Sequence, residues 1–133
     1  MGMNEDPVLT LSLVASEDLS TYQYYGVVMT TTDMNCERVD GTTDHPIGIL
    51  LNAPASGEMA LVGVIGVFPV KTSEAVATNS QVLIDSDGLG APFEGDTDTT
   101  AYCIGTCIRA SGGTSGEKAL VAVNCCNPFK GEE

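Results

Sequence analysis

The nine residues SGEMALVGV starting at Ser56 return as SGEKALVAV starting at Ser115, with seven of nine identical. In a chain of 133 residues, a segment written twice restricts the fold more than any other feature. The match extends backwards. Ile47-Gly48 aligns with Ile104-Gly105, and Ala53 aligns with Ala110, the first copy being two residues shorter in its turn. Each copy reads as an apolar run, a Gly-containing turn and a second apolar run, which is the pattern of a β-hairpin. The likeness comes either from the common chemistry of hairpin turns or from two structurally equivalent hairpins inside one small β-barrel or sandwich.

Most of the remaining chain also reads as extended. VLTLSLV, from Val8, alternates Leu9, Leu11 and Leu13 with Val8, Thr10 and Ser12, the period of a strand. VVMTTT, IGILLNA, QVLIDSDG, AYCIGTCIRA and EKALVAVNCC are further strand candidates. Gly63 and Gly66 predict bends or bulges in the strand after Gly57. DMNCERVDGTTDHP, from Asp33, reads as a polar connection with a turn at Asp40-Gly41. One short helix is predicted over Thr72–Asn79, where Thr72 or Ser73 caps, Glu74 suits the first turn and Asn79 ends it. About two turns of helix need packing to persist. With no Trp, the core falls to Val, Leu, Ile and Ala. The expected architecture is mainly β, a small single-domain β-barrel or sandwich with one short helix. Residues 1–14 are read as an extended N-terminal arm, 15–126 as the β body and 127–133 as a frayed tail.

Eighteen acids against five bases give a net charge of −13. Such a surface repels phosphate, so neither nucleic acid nor an anionic membrane is an expected partner. The longest apolar run, Met59 to Val70, is broken by Gly63, Gly66 and Pro69 and is too short to span a bilayer. The opening MGMNEDPV lacks the basic stretch of a secretory leader. Five cysteines cannot all pair within one chain, so reduced thiols and synthesis in a cytosol are expected.

No constellation for catalysis stands out, and the chain is not expected to be an enzyme. The only histidine, His45, sits in a polar connection with Cys36 nine residues away, and nothing in the sequence orients the pair. Asp85, Asp87, Gly90 and Asp96 partly match a calcium loop, but Leu89 spoils the fifth position and the twelfth is not Glu. The simpler reading is an acidic β-turn. Cys103 and Cys107 share a face if their strand is regular, while Cys125 and Cys126 oppose each other. None forms a CxxC pair, so buried thiols are preferred to zinc. No metal or cofactor is expected. Val8, Leu9, Leu11 and Leu13 are candidate anchors of the arm. The arm either adds to another chain's sheet or pairs within its own domain or with a neighbouring copy. Tyr22, Tyr24 and Tyr25 are either oligomer-interface residues or the edge of the core.

The order IGILLNAPASGEMALVGVIGVFPV, then SEAVA, then NSQVLIDSDG, then YCIGTCIRASGGTSGEKALVAVN resembles the capsid cement proteins, the small head decoration proteins of tailed bacteriophages. The resemblance covers roughly Ala15 to Val123. It implies a β-rich virion protein that binds the major capsid protein on the outer surface of the expanded head, commonly as a homotrimer, and stabilises the shell. It also implies synthesis in the host cytoplasm and an N-terminal arm reaching the capsid subunits. The rival expectation is a virion surface module that binds carbohydrate or host surface. Several aromatics on one face would mark such a module, yet aromatics are only 5% of the chain.

Overall fold

The computed structural model describes residues 5–41, 44–94, 101–114, 116–126 and 129–130. They form one ten-stranded sheet: β1 (Asp6–Ala15), β2 (Gly26–Met29), β3 (Asn35–Arg38), β4 (Gly48–Leu50), β5 (Met59–Lys71), β6 (Gln81–Ile84), β7 (Gly90–Pro92), β8 (Tyr102–Arg109), β9 (Lys118–Asn124) and β10 (Phe129–Lys130). The chain is thus mainly β, and no described residue is helical.

The duplication is larger than the hairpin. In a first unit β1 pairs with β3 in parallel and with β5 antiparallel; β2 pairs with β3 and with β4; β4 pairs with β5. These pairings close a circuit of five strands. In a second unit the far half of β5 takes the place of β1. Thr72 bridges Gly90 in parallel, β5 pairs with β9, β6 with β7 and β8, and β8 with β9. The circuit is the same, and β5 is at once the last strand of the first unit and the first strand of the second.

The register is also the same. Leu11↔Val62, Ser12↔Leu61, Leu13↔Ala60 and Val14↔Met59 recur as Phe68↔Val121, Pro69↔Leu120, Val70↔Ala119 and Lys71↔Lys118. In the hairpins, Leu50↔Val62 and Ile49↔Gly63 recur as Cys107↔Val121 and Thr106↔Ala122. The turns match in detail. Gly57 and Gly116 both have positive φ, 86° and 92°. The Gly57 N–H donates to the Ala15 carbonyl and the Gly116 N–H to the Thr72 carbonyl, each at 2.8 Å. Glu58 accepts the Ala55 N–H at 2.7 Å, and Glu117 accepts the Gly112 N–H at 2.6 Å. The repeated SGE therefore encodes a left-handed glycine followed by a carboxylate that satisfies a turn amide. Of the two explanations for the repeat, structural equivalence holds.

Equivalent positions fill one core. Leu13 and Val70, Leu19 and Val76, Val27 and Val82, Ala60 and Ala119, and Val62 and Val121 are all buried in the same cluster. Each removes apolar area from water at roughly 25 cal/mol per Å².

The predicted helix is not formed, and the repeat gives the reason. Thr72 is the buried counterpart of Ala15 and ends the shared strand, with its hydroxyl donating to Ser111 Oγ at 3.0 Å or the Glu117 carbonyl at 3.1 Å. Val76, the counterpart of Leu19, turns into the core, where its N–H donates to Ser111 Oγ at 3.3 Å and its carbonyl accepts the Ser111 N–H at 3.1 Å. An extended course buries both residues completely. Two isolated helical turns offer little against that.

Two strands lie where the sequence reads as irregular. β3 lies inside the expected polar connection, and β7 follows the Asp-Gly turn. Phe129–Lys130, read as part of the tail, pairs with β8. The stretch read as an arm is β1, laid along β5 from Asp6 to Val14. The pairings shift between Pro7, Leu9 and Thr10, opposite Gly66, whose φ is 143°. A Cβ on Gly66 would lie 2.6 Å from the Asp6 carbonyl oxygen.

Candidate functional site

The surfaces available to a partner follow from which strand edges and faces this double circuit leaves uncovered. The outer edge of β1 is one. Its inner edge holds β5, and its outer edge holds β3 only at Val14 and Ala15. Among the described residues nothing else pairs with that outer edge. The four expected anchors divide. Val8 is 79% exposed and Leu9 39% exposed, whereas Leu11 packs partly against the core and Leu13 is 2% exposed within it. Beside β1, Met34 and Met59 are 58% and 53% exposed, with Leu61 and Met29 also partly open. Met59 pairs with Val14, and the Val14 N–H donates to the Met34 carbonyl at 2.8 Å. The outer face of the first unit is therefore bordered by flexible thioethers, which adapt readily to a partner.

The three tyrosines form a second surface at the junction of the units. Tyr24 has φ 70°. It donates its N–H to the Leu50 carbonyl at 2.7 Å and accepts the Lys71 N–H at 3.0 Å, which ties the loop to β4 and β5. Tyr22 and Tyr25 meet edge to face at 5.0 Å. Arg38 lies over Tyr22 at 4.7 Å, Lys118 over Tyr24 at 5.1 Å and Lys71 over Tyr25 at 5.7 Å. Three of the five basic residues of the chain thus gather on one aromatic cluster, at cation–π distances. The Tyr24 hydroxyl donates to Glu5 at 2.9 Å; burial and then that carboxylate raise its pKa above the ordinary phenol value. Tyr22 and Tyr24 also pack on the core, so the cluster is both a core edge and a surface. Sequence reading missed Arg38, Lys71 and Lys118 because they come from three different strands or strand ends. No local signal joins them to the YQYY segment.

The other candidates are structural. Asp85 accepts the N–H groups of Asp87 at 2.9 Å and Leu89 at 3.0 Å, the hydrogen bonding of an acidic turn. Asp96 lies outside the described residues. His45 stacks on Tyr102 at 4.9 Å, and its Nε2 lies 3.3 Å from the Cys125 carbonyl oxygen. Cys36 is fully buried in β3. Cys103 and Cys107 do not share a face. The β6–β8 register slips between Cys103 and Gly105, so Cys107 enters the main core and Cys103 a smaller cluster with Leu83, Ala91, Phe93 and Ala101. Among the described residues, no three His, Cys, Asp or Glu side chains group as metal ligands.

All five cysteines are free thiols, and only Cys126 is exposed. Burial, with Glu17 and Glu37 adding repulsion, pushes Cys36 up to about 11; burial pushes Cys125 up to about 12. Iodoacetamide at pH 8 is therefore expected to add one group to the native protein and five after denaturation, read by intact mass. The sign for stability follows. Above about pH 8.5 the thiols of the unfolded chain ionise while the four buried native ones, Cys36, Cys103, Cys107 and Cys125, stay protonated. Stability is complete below that pH and falls as pH rises, which alkaline melting curves will show.

No family model and no curated protein sequence matches the chain. Among solved structures, the chain is similar to the N base of head fiber gp8.5 in bacteriophage phi29, with a TM-score of 0.64 and 11% sequence identity, over 92% of this chain and 98% of that one. At that identity the likeness is one of fold.

Proposed function

We propose that this protein is a head-associated structural protein of a tailed phage, a decoration protein that binds the outer surface of the expanded head across subunit boundaries and stabilises it. The observation that carries the reading is the near-complete fold overlap with a phage head fiber base, joined to the sequence resemblance to capsid cement proteins. The double circuit of strands supports it, because it leaves an open strand edge on β1 and an aromatic cluster at the junction of the units. The proposed partner is the major capsid protein, the proposed state is a homotrimer with Tyr22, Tyr24 and Tyr25 near the contacts between copies, and Val8 and Leu9 are the exposed anchors. The role requires no reaction. A ligand that binds the expanded shell and not its alternatives shifts the equilibrium by mass action. At a free concentration about 100 times the dissociation constant, each site contributes roughly 2.7 kcal/mol. Linked sites in a trimer add avidity.

Mixing purified protein with undecorated heads is the test. Attachment with a raised head-disruption temperature supports the reading. Heads that neither bind the protein nor gain stability refute it. Sedimentation at micromolar concentration reports the trimer separately.

A further inference from the structure

We infer that the outer edge of β1, from Val8 to Leu13, is an acceptor for a strand of a partner protein, and that the partner segment has an uncharged middle flanked by lysine or arginine.

The two units supply the comparison. Strand groups alternate between edges. The Ala15 N–H donates to Glu58 across the inner edge at 2.9 Å, and the Val14 N–H donates to Met34 across the outer edge at 2.8 Å. Counting back, Leu13 and Leu11 face β5, while Ser12 and Thr10 present N–H and C=O outward. The equivalent residues of the second unit are Lys71 for Val14, Pro69 for Ser12 and Val67 for Thr10, by the shared register. There every outward donor is accounted for. Lys71 donates to the Tyr24 carbonyl at 3.0 Å. Pro69 has no N–H. Val67 is covered by β1, whose residues Asp6, Pro7 and Leu9 pair antiparallel with Val67, Gly66 and Ile65. One copy of this edge is closed by a strand and a proline. The other leaves Thr10 and Ser12 without a described partner strand.

Exposed edges are ordinarily blunted by charge, proline or bulges; Pro7 and the shifted pairing beside it close the start of this edge, and no charge blunts the rest. Pro7 to Ser16 contains no charged residue, although the chain carries −13. Glu5 and Asp6 flank the stretch on one side, Glu17 and Asp18 on the other. A neutral strip between two acidic ends complements a segment with basic ends. A second copy of β1 brings acids towards acids and is disfavoured. Met34 borders the far end of the edge, an apolar contact for the incoming strand. Main-chain bonds then supply affinity and the flanking charges supply register. The inference rests on the decoration reading only for who the partner is.

The test uses the peptide Lys-Val-Thr-Val-Thr-Val-Lys and amide exchange by NMR on the whole protein. Without peptide, Thr10 and Ser12 are expected to exchange fast and Leu11 and Leu13 slowly. With saturating peptide, Thr10 and Ser12 slow at least tenfold. The same peptide with Glu replacing Lys binds at least tenfold more weakly at low salt. Ser12→Pro abolishes the binding and Ser12→Val keeps it; should Ser12→Pro not fold, the exchange pattern of the unaltered protein decides. Unchanged exchange at millimolar peptide, or equal binding of both peptides, overturns the inference. Slow exchange of Thr10 and Ser12 in the protein alone, lost on dilution, overturns it in favour of a second copy. Heads that bind the protein while Thr10 and Ser12 stay unprotected leave decoration standing and this inference refuted. Binding of the basic peptide with no binding to heads does the reverse.

Discussion

Gly105→Ala is expected to destabilise the protein by about 3 kcal/mol or more, the upper range for overpacking a site that cannot yield. In melting temperature this is a fall of about 10 °C or more for a chain of this size. Gly105 lies in β8 opposite Val123, and a Cβ there would overlap the Ala122 carbonyl oxygen and come within 2.8 Å of its carbon. The obstacle is the backbone of the paired strand, so no rotamer relieves it. Gly48 is its counterpart in the first unit. A Cβ on Gly48 would overlap the Gly63 carbonyl oxygen, and Gly63 is the counterpart of Ala122. Gly48→Ala should therefore lose a comparable amount, which tests the equivalence of the units as well as the local packing. Two controls bound the effect. Gly57→Ala meets no atom within 4 Å but sits at φ 86°, and should cost about 1 kcal/mol from backbone strain alone. Gly113→Ala also meets nothing and should stay within about 0.5 kcal/mol of neutral. Urea or thermal melts of the four variants decide the order. If Gly105→Ala melts with Gly113→Ala, strands β8 and β9 are not in the contact described.

The Ile-Gly steps were legible in the sequence because close approach demands glycine and nothing else. The SGE turns were legible for a similar reason, since a left-handed residue and an amide-capping carboxylate leave few substitutes. The rest of the duplication was not. Leu13 with Val70, Leu19 with Val76 and Val27 with Val82 keep burial and lose identity, because a β core asks for apolar volume and not for one residue. β3 and β7 have four and three residues, too few to show a period. In β3 only Cys36 is buried, among Asn35, Glu37 and Arg38, so it reads as a polar loop. Thr72 to Asn79 carries helix-capping residue types, yet Ser111, far along the chain, holds Val76 extended. The candidate site suffered in the same way. Alternation showed that VLTLSLV is a strand, but which of its edges is filled depends on partners elsewhere in the chain.

Phe68→Ala is expected to cost about 3–5 kcal/mol, the range for deleting a buried aromatic side chain. Among the described residues Phe68 is the largest fully buried side chain, and it lies on the half of β5 that opens the second unit while touching the half that closes the first. Its ring covers Gly63: a Cβ there would lie 2.5 Å from Cζ and 2.7 Å from Cε1. The second unit has Ala122 where the first has Gly63, and the first unit has Leu11 where the second has Phe68. Gly63 leaves the room that the Phe68 ring fills, as a close-packed interior requires. Gly63→Ala alone should lose about 1–3 kcal/mol by pressing on a ring with nowhere to go. Phe68→Leu alone opens a void beside Gly63. Together, the added methyl enters the space that the ring vacates, so the double variant should be more stable than the sum of the single changes by about 1–2 kcal/mol. Such a coupling, measured by denaturant melts of the four proteins, means that the two units share one packing unit across β5. Simple additivity would mean that Phe68 belongs to the second unit alone and that the shared strand joins two cores instead of fusing them.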